Sequence, residues 1–219
     1  MAVFCSKQIV VPVRDKMLSD YAEGEIVKLN ENGSPVEFYV AKHDYESSLN
    51  GNGRTLLVRK DCYIDIYWNL SGGNNTYASS QIDNWINNNY KALLNASIRE
   101  VINTTKFYYT PGNGNTTVTT LERAIFLLSV TELGGSHSYA NVEGTVLPIA
   151  STLQIAYKDG SAVNQWTRSP MIDTNSGVYE FYRAGSVATT NVSSKEYCRP
   201  CFTLPGTTLF DHSTNLFKG

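Results

Sequence analysis

Charge is scarce in this chain. Asp, Glu, Lys and Arg make up 17% of its 219 residues, below the ~25% usual for soluble domains. The 18 basic and 20 acidic residues leave a net charge of −2, so the basic stripe that nucleic-acid binding needs is missing. No apolar run approaches the ~20 residues of a membrane-spanning helix. The N-terminus has an apolar stretch too short for an export signal, interrupted by Lys7. Histidine is limited to His43, His137 and His212, at spacings that fit no metal motif. No Gly-x-Ser-x-Gly, His-Glu-x-x-His or P-loop occurs. The one acid–imidazole pair, His43-Asp44, reads as a surface turn. The expectation is a protein with no catalytic centre, no cofactor and no metal, contacting neither nucleic acid nor membrane.

What fills the space is polar and uncharged. Asn, Ser and Thr number 20 each, and 14 of the aromatics are Tyr. Hydrophobic residues at 42% exclude a disordered chain. Tyr beside Asn, Ser and Gly gives rigid aromatic area next to adaptable hydrogen bonding, the chemistry of paratopes and equally of β-rich extracellular and virion proteins. An exported-looking composition without an export signal fits a protein made in a bacterial cytoplasm and released by lysis, as phage structural proteins are.

The four cysteines are Cys5, Cys62, Cys198 and Cys201. Cys198-Arg-Pro-Cys201 has redox spacing, but a redox pair needs its first thiol at a helix N-terminus. Here the motif runs into Phe202-Thr-Leu-Pro and reads as a strand. Reduced structural thiols are the leading reading, with a disulfide or a metal or redox role as alternatives. Sequons such as the one at Asn74 read as products of composition.

Along the chain, residues 1–20 read as an extended arm. Strands at 25–29 and 36–40 flank an Asn/Gly/Pro turn and predict a hairpin. A buried strand is expected at 55–59. Residues 80–95 place Ile82, Trp85, Ile86, Tyr90, Leu93 and Leu94 on one helical face, with Ser79 or Ser80 as cap. A second helix is expected at 96–104. The apolar run 124–130 reads as a buried central strand. Strands are expected near Trp166, Tyr179 and Phe202. Loops at 110–117, 134–145 and 171–176 are expected to face outward. The expected fold class is α+β: a single compact domain over 21–206, an early helix pair packed on short, mostly antiparallel strands with long loops. Residues 207–219 are expected to form a C-terminal tail.

Four blocks, Ile82-Asp-Asn-Trp-Ile-Asn87, Phe126-Leu-Leu-Ser-Val-Thr-Glu132, Trp166-Thr-Arg-Ser-Pro170 and Arg199-Pro-Cys-Phe-Thr-Leu204, occur in this order. Together they resemble a bacterial domain-of-unknown-function family, widespread in Gram-positive gut bacteria and their phages. With the amino half, they look like a phage or prophage product. The resemblance implies a virion- or tail-associated protein and no established activity. The order of elements is also similar to C-type-lectin-like and sulfatase-modifying-factor-like folds. The calcium motifs of true C-type lectins are missing: there is no Glu-Pro-Asn, and Trp68-Asn69 is followed by Leu70.

Glu132, Arg168 and Arg199 end apolar segments, where buried charges must pair. Glu132 is therefore expected to bridge Arg168 or Arg199 and fix the strands; the alternative is ligand recognition by an exposed Arg168 beside Trp166. Trp85 is expected in the core, and Pro170 and Pro200 at strand ends. Tyr139 and Tyr179, with Trp166 and Arg168, are the candidate binding residues. The expected function is that of a non-enzymatic structural protein on a virion surface, in capsid decoration or tail adhesion. Its expected partners are other virion proteins, further copies of itself and a cell-surface glycan. The alternative is a carbohydrate-binding or carbohydrate-active protein of bacterial origin, including an oxidase that would use Cys198 and Cys201.

Overall fold

The computed structural model describes residues 15–219. The expected arm at 1–20 lies outside the described residues except for its last six. Of these, Lys16–Met17 pairs with Leu209–Phe210 and Leu18 is fully buried.

The hairpin forms as the turn chemistry requires. Ile26–Glu31 and Ser34–Lys42 pair around Asn32-Gly33, both at positive φ, the two-residue turn that matches strand twist. Arg54–Arg59 and Cys201–Pro205 complete a four-stranded antiparallel sheet. A five-stranded sheet runs in the order Val187–Asn191, Gly177–Phe181, Gln165–Pro170, Lys195–Tyr197, Asp65–Tyr67. Its one parallel contact joins Gln165 to Tyr197. Thr105–Tyr109 pairs separately with Thr119–Arg123.

The expected α+β class, with an early helix pair and a C-type-lectin-like arrangement, is overturned: the chain folds as a compact β-rich domain of several sheets. The helical turns are short. Ser80 does cap the first, accepting a hydrogen bond from the Asp83 N–H. That α-turn lasts only Gln81–Trp85, passes into a π-turn at Ile86–Tyr90 and closes with Lys91–Leu93. The next helix is Ala96–Val101. Asparagine is the reason the helix is poor. Asn84, Asn87, Asn88 and Asn89 each cost about 0.5–0.7 kcal/mol against alanine in a helix interior, and the side chains of Asn87 and Asn88 bond back to the preceding turn. Asn87 donates to the Asp83 carbonyl and Asn88 to the Asn84 carbonyl.

The apolar run is also corrected. Residues 125–130 are buried, but only a single bridge, Phe126 to Cys201, links them to a sheet. Side chains satisfy much of the rest, while the Leu128 carbonyl accepts from Arg168 N–H. Ile125 N–H donates to Asn87, Leu127 N–H to the Tyr77 hydroxyl, and Val130 N–H to the Ser169 hydroxyl. Buried backbone must be paired, and side chains serve as well as a ladder. The C-terminal residues pack on the domain: Phe210 is buried against Tyr21, and Lys28 bridges Leu216. Among the described residues no helix is long and apolar enough to cross a membrane.

Two glutamates, Glu180 and Glu196, sit in the five-stranded sheet. Glu180 lies across from Trp166 and is buried. Burial, with Glu196 close by, pushes its carboxyl up to about 7. The protonated form is the one that folding favours. This contribution is therefore fully present below the unfolded value near 4.5 and is lost as pH rises through about 7. The expected loss across that window is about 2–3 kcal/mol, shared with Glu196 as a coupled pair. Glu180→Gln should remove most of that slope in urea unfolding measured from pH 4 to 8; an unchanged slope would place the titration elsewhere.

Candidate functional site

Two features meet beneath the long loops: a buried charge cluster and a loop face that it supports. Arg168 leaves the central strand of the five-stranded sheet and is entirely buried, as is Glu132. Their ion pair measures 2.6 Å from Nη1 to Oε2. Arg168 Nη1 also donates to the Leu127 carbonyl at 2.8 Å, and Nε to the Tyr108 carbonyl at 3.0 Å. Its guanidinium lies 4.7 Å from the Phe107 ring centre. Tyr45 donates its hydroxyl to Glu132 Oε1, and Ser129 N–H donates to Oε2. The carboxylates around Arg168 hold its pKa above the ordinary value in spite of burial.

Glu143 extends the cluster. It accepts from Thr110 N–H and the Ser169 hydroxyl, and its carbonyl accepts from the Ser129 hydroxyl. Burial raises its carboxyl. Glu46 is raised too, by burial and then by Glu132. Gly144 sits between them: a side chain there would meet Glu46 Oε1 at 3.0 Å and Glu132 Oε1 at 3.3 Å. Its φ of +86° independently requires glycine.

Above this cluster the three long loops form one face. Asn75, fully buried, donates its amide to the carbonyls of Met171, Thr174 and Gly177, and accepts from Asn113 N–H. That ties 110–117 to 171–176. Asn141 donates to the Thr116 carbonyl and the Thr110 hydroxyl, tying in 134–145. Ile172 N–H donates to the Tyr139 carbonyl and closes the ring. The face carries Tyr139, 46% exposed, and Val142, 74% exposed. A cavity of about 450 Å3 opens beside Val142, walled by Tyr108, Val118, Thr119, Thr120 and Gly144.

The candidate binding residues separate accordingly. Trp166 is buried, with its indole N–H donating to the Ile66 carbonyl at 2.7 Å, which leaves no open ring face for stacking. Arg168 is sealed in the ion pair. Tyr179 is buried; its hydroxyl lies 2.9 Å from His137 Nδ1. Burial, then Asp173 and Tyr139, push that hydroxyl up to about 12. His137 joins it to Tyr139, with ring centres 5.1 and 6.1 Å away. Only Tyr139 of the four is open to a ligand.

The other marked residues hold backbone. Arg199 meets no carboxylate: it donates to the carbonyls of Arg59, Lys60 and Leu153. Pro200 accepts from Arg59 N–H, and Pro170 ends its strand opposite Val178. Trp85 is half-buried between Tyr63 and Tyr90. His43 and Asp44 do not pair. His43 Nε2 donates to the Tyr21 carbonyl and Nδ1 accepts from Thr55, while Asp44 accepts from Gly53 N–H. Cys62, Cys198 and Cys201 are free and buried; burial pushes the Cys62 thiol up to about 12 and raises the other two. Cys5 lies outside the described residues. Among the described residues no cluster of His, Cys, Asp and Glu is arranged to hold a metal.

Sequence reasoning missed Asn75, Glu143 and Tyr45. Asn75 sits in Ser71-Gly-Gly-Asn-Asn-Thr76, which reads as solvated loop, and only the fold shows its amide spent on three carbonyls.

Glu132→Gln keeps the shape but leaves Arg168 a buried charge facing a neutral amide. Breaking a buried pair costs about 3–5 kcal/mol, so urea unfolding should show a loss of that order; no loss would remove the pair from the scaffold. Asn75→Ala removes the amide from the carbonyls of Met171, Thr174 and Gly177, the last of which keeps its Met171 N–H, at about 0.5–1.5 kcal/mol for each net hydrogen bond. It should cost about 1–3 kcal/mol and should speed amide exchange in 110–117 and 171–177 together. Exchange rising in one loop alone would show that the loops are not joined.

No curated protein matches the chain, and no solved structure does. One family model, described as a domain of unknown function (DUF6273), matches residues 52–206. Those residues run from the turn before Arg54–Arg59 through the strand Cys201–Pro205 and hold the whole charge cluster except Glu46 and Tyr45. The chain belongs to that family.

Proposed function

We propose that this is a non-catalytic binding protein of a virion surface, meeting a capsid or host-surface partner through the three-loop face. The observation that carries this reading is the tying of three separate loops into one surface by Asn75, Asn141 and the Ile172–Tyr139 bond. Loops held rigid before contact lose little entropy on binding, and loops on a rigid scaffold are where recognition concentrates. The most deeply buried charged groups support the same reading. Arg168, Glu132 and Glu143, each without solvent exposure, are spent on holding chain segments together. Virion placement rests on the Tyr-, Asn- and Ser-rich composition and the phage resemblance of the sequence. Several copies on one particle would turn weak single contacts into avidity.

Quantitative mass spectrometry of purified particles, with the major capsid protein as internal standard, tests the placement. The expected result is a fixed ratio to the capsid protein. A ratio near one means decoration, and a handful of copies means tail or adhesin. Absence from particles would overturn the placement and favour a carbohydrate-binding protein of bacterial origin. The face itself is tested by Tyr139→Ala with Val142→Asp, two exposed changes. Attachment to particles or host cells should fall at least tenfold with the thermal midpoint unchanged.

A further inference from the structure

The helical segment 81–93 is written against helix formation. Its Asn84, Asn88 and Asn89 are exposed, and asparagine favours caps and turns over helix interiors. A face that met only water would be better served by Ala, Lys or Glu. The middle of the segment is a π-turn, Ile86–Tyr90, a geometry frequent at functional sites.

Along that face lies a cleft of about 910 Å3, bordered by Asn69, Ser79, Gln81, Asn84, Asn88 and Arg123. Its size is that of a small-ligand site. Asp83 lies in its wall, buried, and accepts from Arg123 Nε at 2.8 and 3.1 Å and from Asn87 at 3.2 Å. Arg123 Nη2 donates to the Ala78 carbonyl at 3.0 Å. The one cation in the wall is thus matched by the one carboxylate, and the cleft is neutral. The amides above this pair are only half used. Gln81 Oε1 accepts from Leu70 N–H, and Asn84 Oδ1 accepts from Asn88 Nδ2. Among the described residues, Gln81 Nε2, Asn84 Nδ2, Asn88 Oδ1 and the Ser79 hydroxyl have no protein partner.

Free amide donors and acceptors side by side match a ligand whose groups both donate and accept. Hydroxyls are such groups. A charged ligand would find no unmatched opposite charge. Leu70, 57% exposed, and Ala78 add apolar surface at the rim for a C–H face. We propose that this cleft binds a neutral saccharide, through the amides of Gln81, Asn84 and Asn88 and the Ser79 hydroxyl. It is a second site, separate from the three-loop face, and does not depend on virion placement.

The test is a titration of the 15N-labelled full chain with a panel of neutral mono- and disaccharides, with sialic acid as the charged control. The expected result is that at least one neutral sugar shifts amides at 69–71, 79–88 and 123, and that sialic acid does not. Asn84→Ala with Asn88→Ala should weaken that sugar at least tenfold. The same pair should hold or raise the thermal midpoint, because alanine is the best helix former. Folding failure therefore cannot mimic loss of binding. The proposal is overturned if no neutral sugar moves these amides, if the shifts map elsewhere, or if the double variant binds equally well. A fall in thermal midpoint with no sugar bound would assign the asparagines to the scaffold. Particle incorporation of the double variant is read separately, so failure here leaves the virion reading standing.

Discussion

Arg168 and Glu132 face each other with no solvent on either side chain, in a core where Phe107 and Tyr45 also stack on Phe126. Taking both charges out of water costs several kcal/mol each, and an apolar pair of equal volume would often serve stability as well. The pair contributes position. A guanidinium has donors in a fixed plane, and Arg168 directs them at Glu132, at the Leu127 carbonyl and at the Tyr108 carbonyl. One side chain thereby sets the spacing between the five-stranded sheet, the buried run 125–130 and the strand Thr105–Tyr109. Tyr45 brings in the end of the four-stranded sheet by donating to the same carboxylate. Oily packing has no such directionality.

That arrangement explains what was legible in the sequence and what was not. Patterns that report a local rule held. Asn32-Gly33 made its turn, Ser80 capped its helix, and Glu132 sought an arginine. The run 124–130 misled because apolar composition reports burial, not ladder pairing. Among its hydrogen-bond partners are Asn87, Tyr77, Ser169 and Arg168, each distant in sequence. The helix misled for a related reason: its inner face had the right period, while the asparagines on its outer face shortened and widened it. The fold class turns on the second: where the period predicts a helix pair, short helical turns lie.

The candidate site was legible in outline only. The sequence marks three polar loops, which Asn75 and Asn141 tie together, and Tyr139 and Tyr179, which meet through His137. Trp166 and Arg168 were marked for their chemistry, yet their surroundings consume that chemistry: an indole N–H at a carbonyl and a guanidinium in an ion pair. Asn75 shows the limit most plainly. Its neighbours are glycine, asparagine and threonine, and nothing local distinguishes a buried strut from a solvated amide. The four sequence blocks are likewise explained by contact. Asn87 bonds Ile125, Phe126 bridges Cys201, and Arg168 meets Glu132. They describe how the chain is braced; the loop face lies outside them, while the first block lends its outer positions Asp83, Asn84 and Asn87 to the cleft.

The two open surfaces share one short strand. Thr119 and Thr120 border the loop-face cavity, and Arg123 borders the saccharide cleft, about 13 Å along Thr119–Arg123 at the strand rise. Both surfaces use residues that folding alone would not choose: exposed Val142 and Tyr139 at one end, helix-disfavouring asparagines at the other. Such choices cost stability, and a domain with a net stability of about 5–15 kcal/mol carries them only against a firm interior. The braced interior supplies that firmness. Its side-chain hydrogen bonds free the loops and the outer helix face from structural duty, and those are the positions where uncharged, hydroxyl- and amide-rich chemistry is left facing outward.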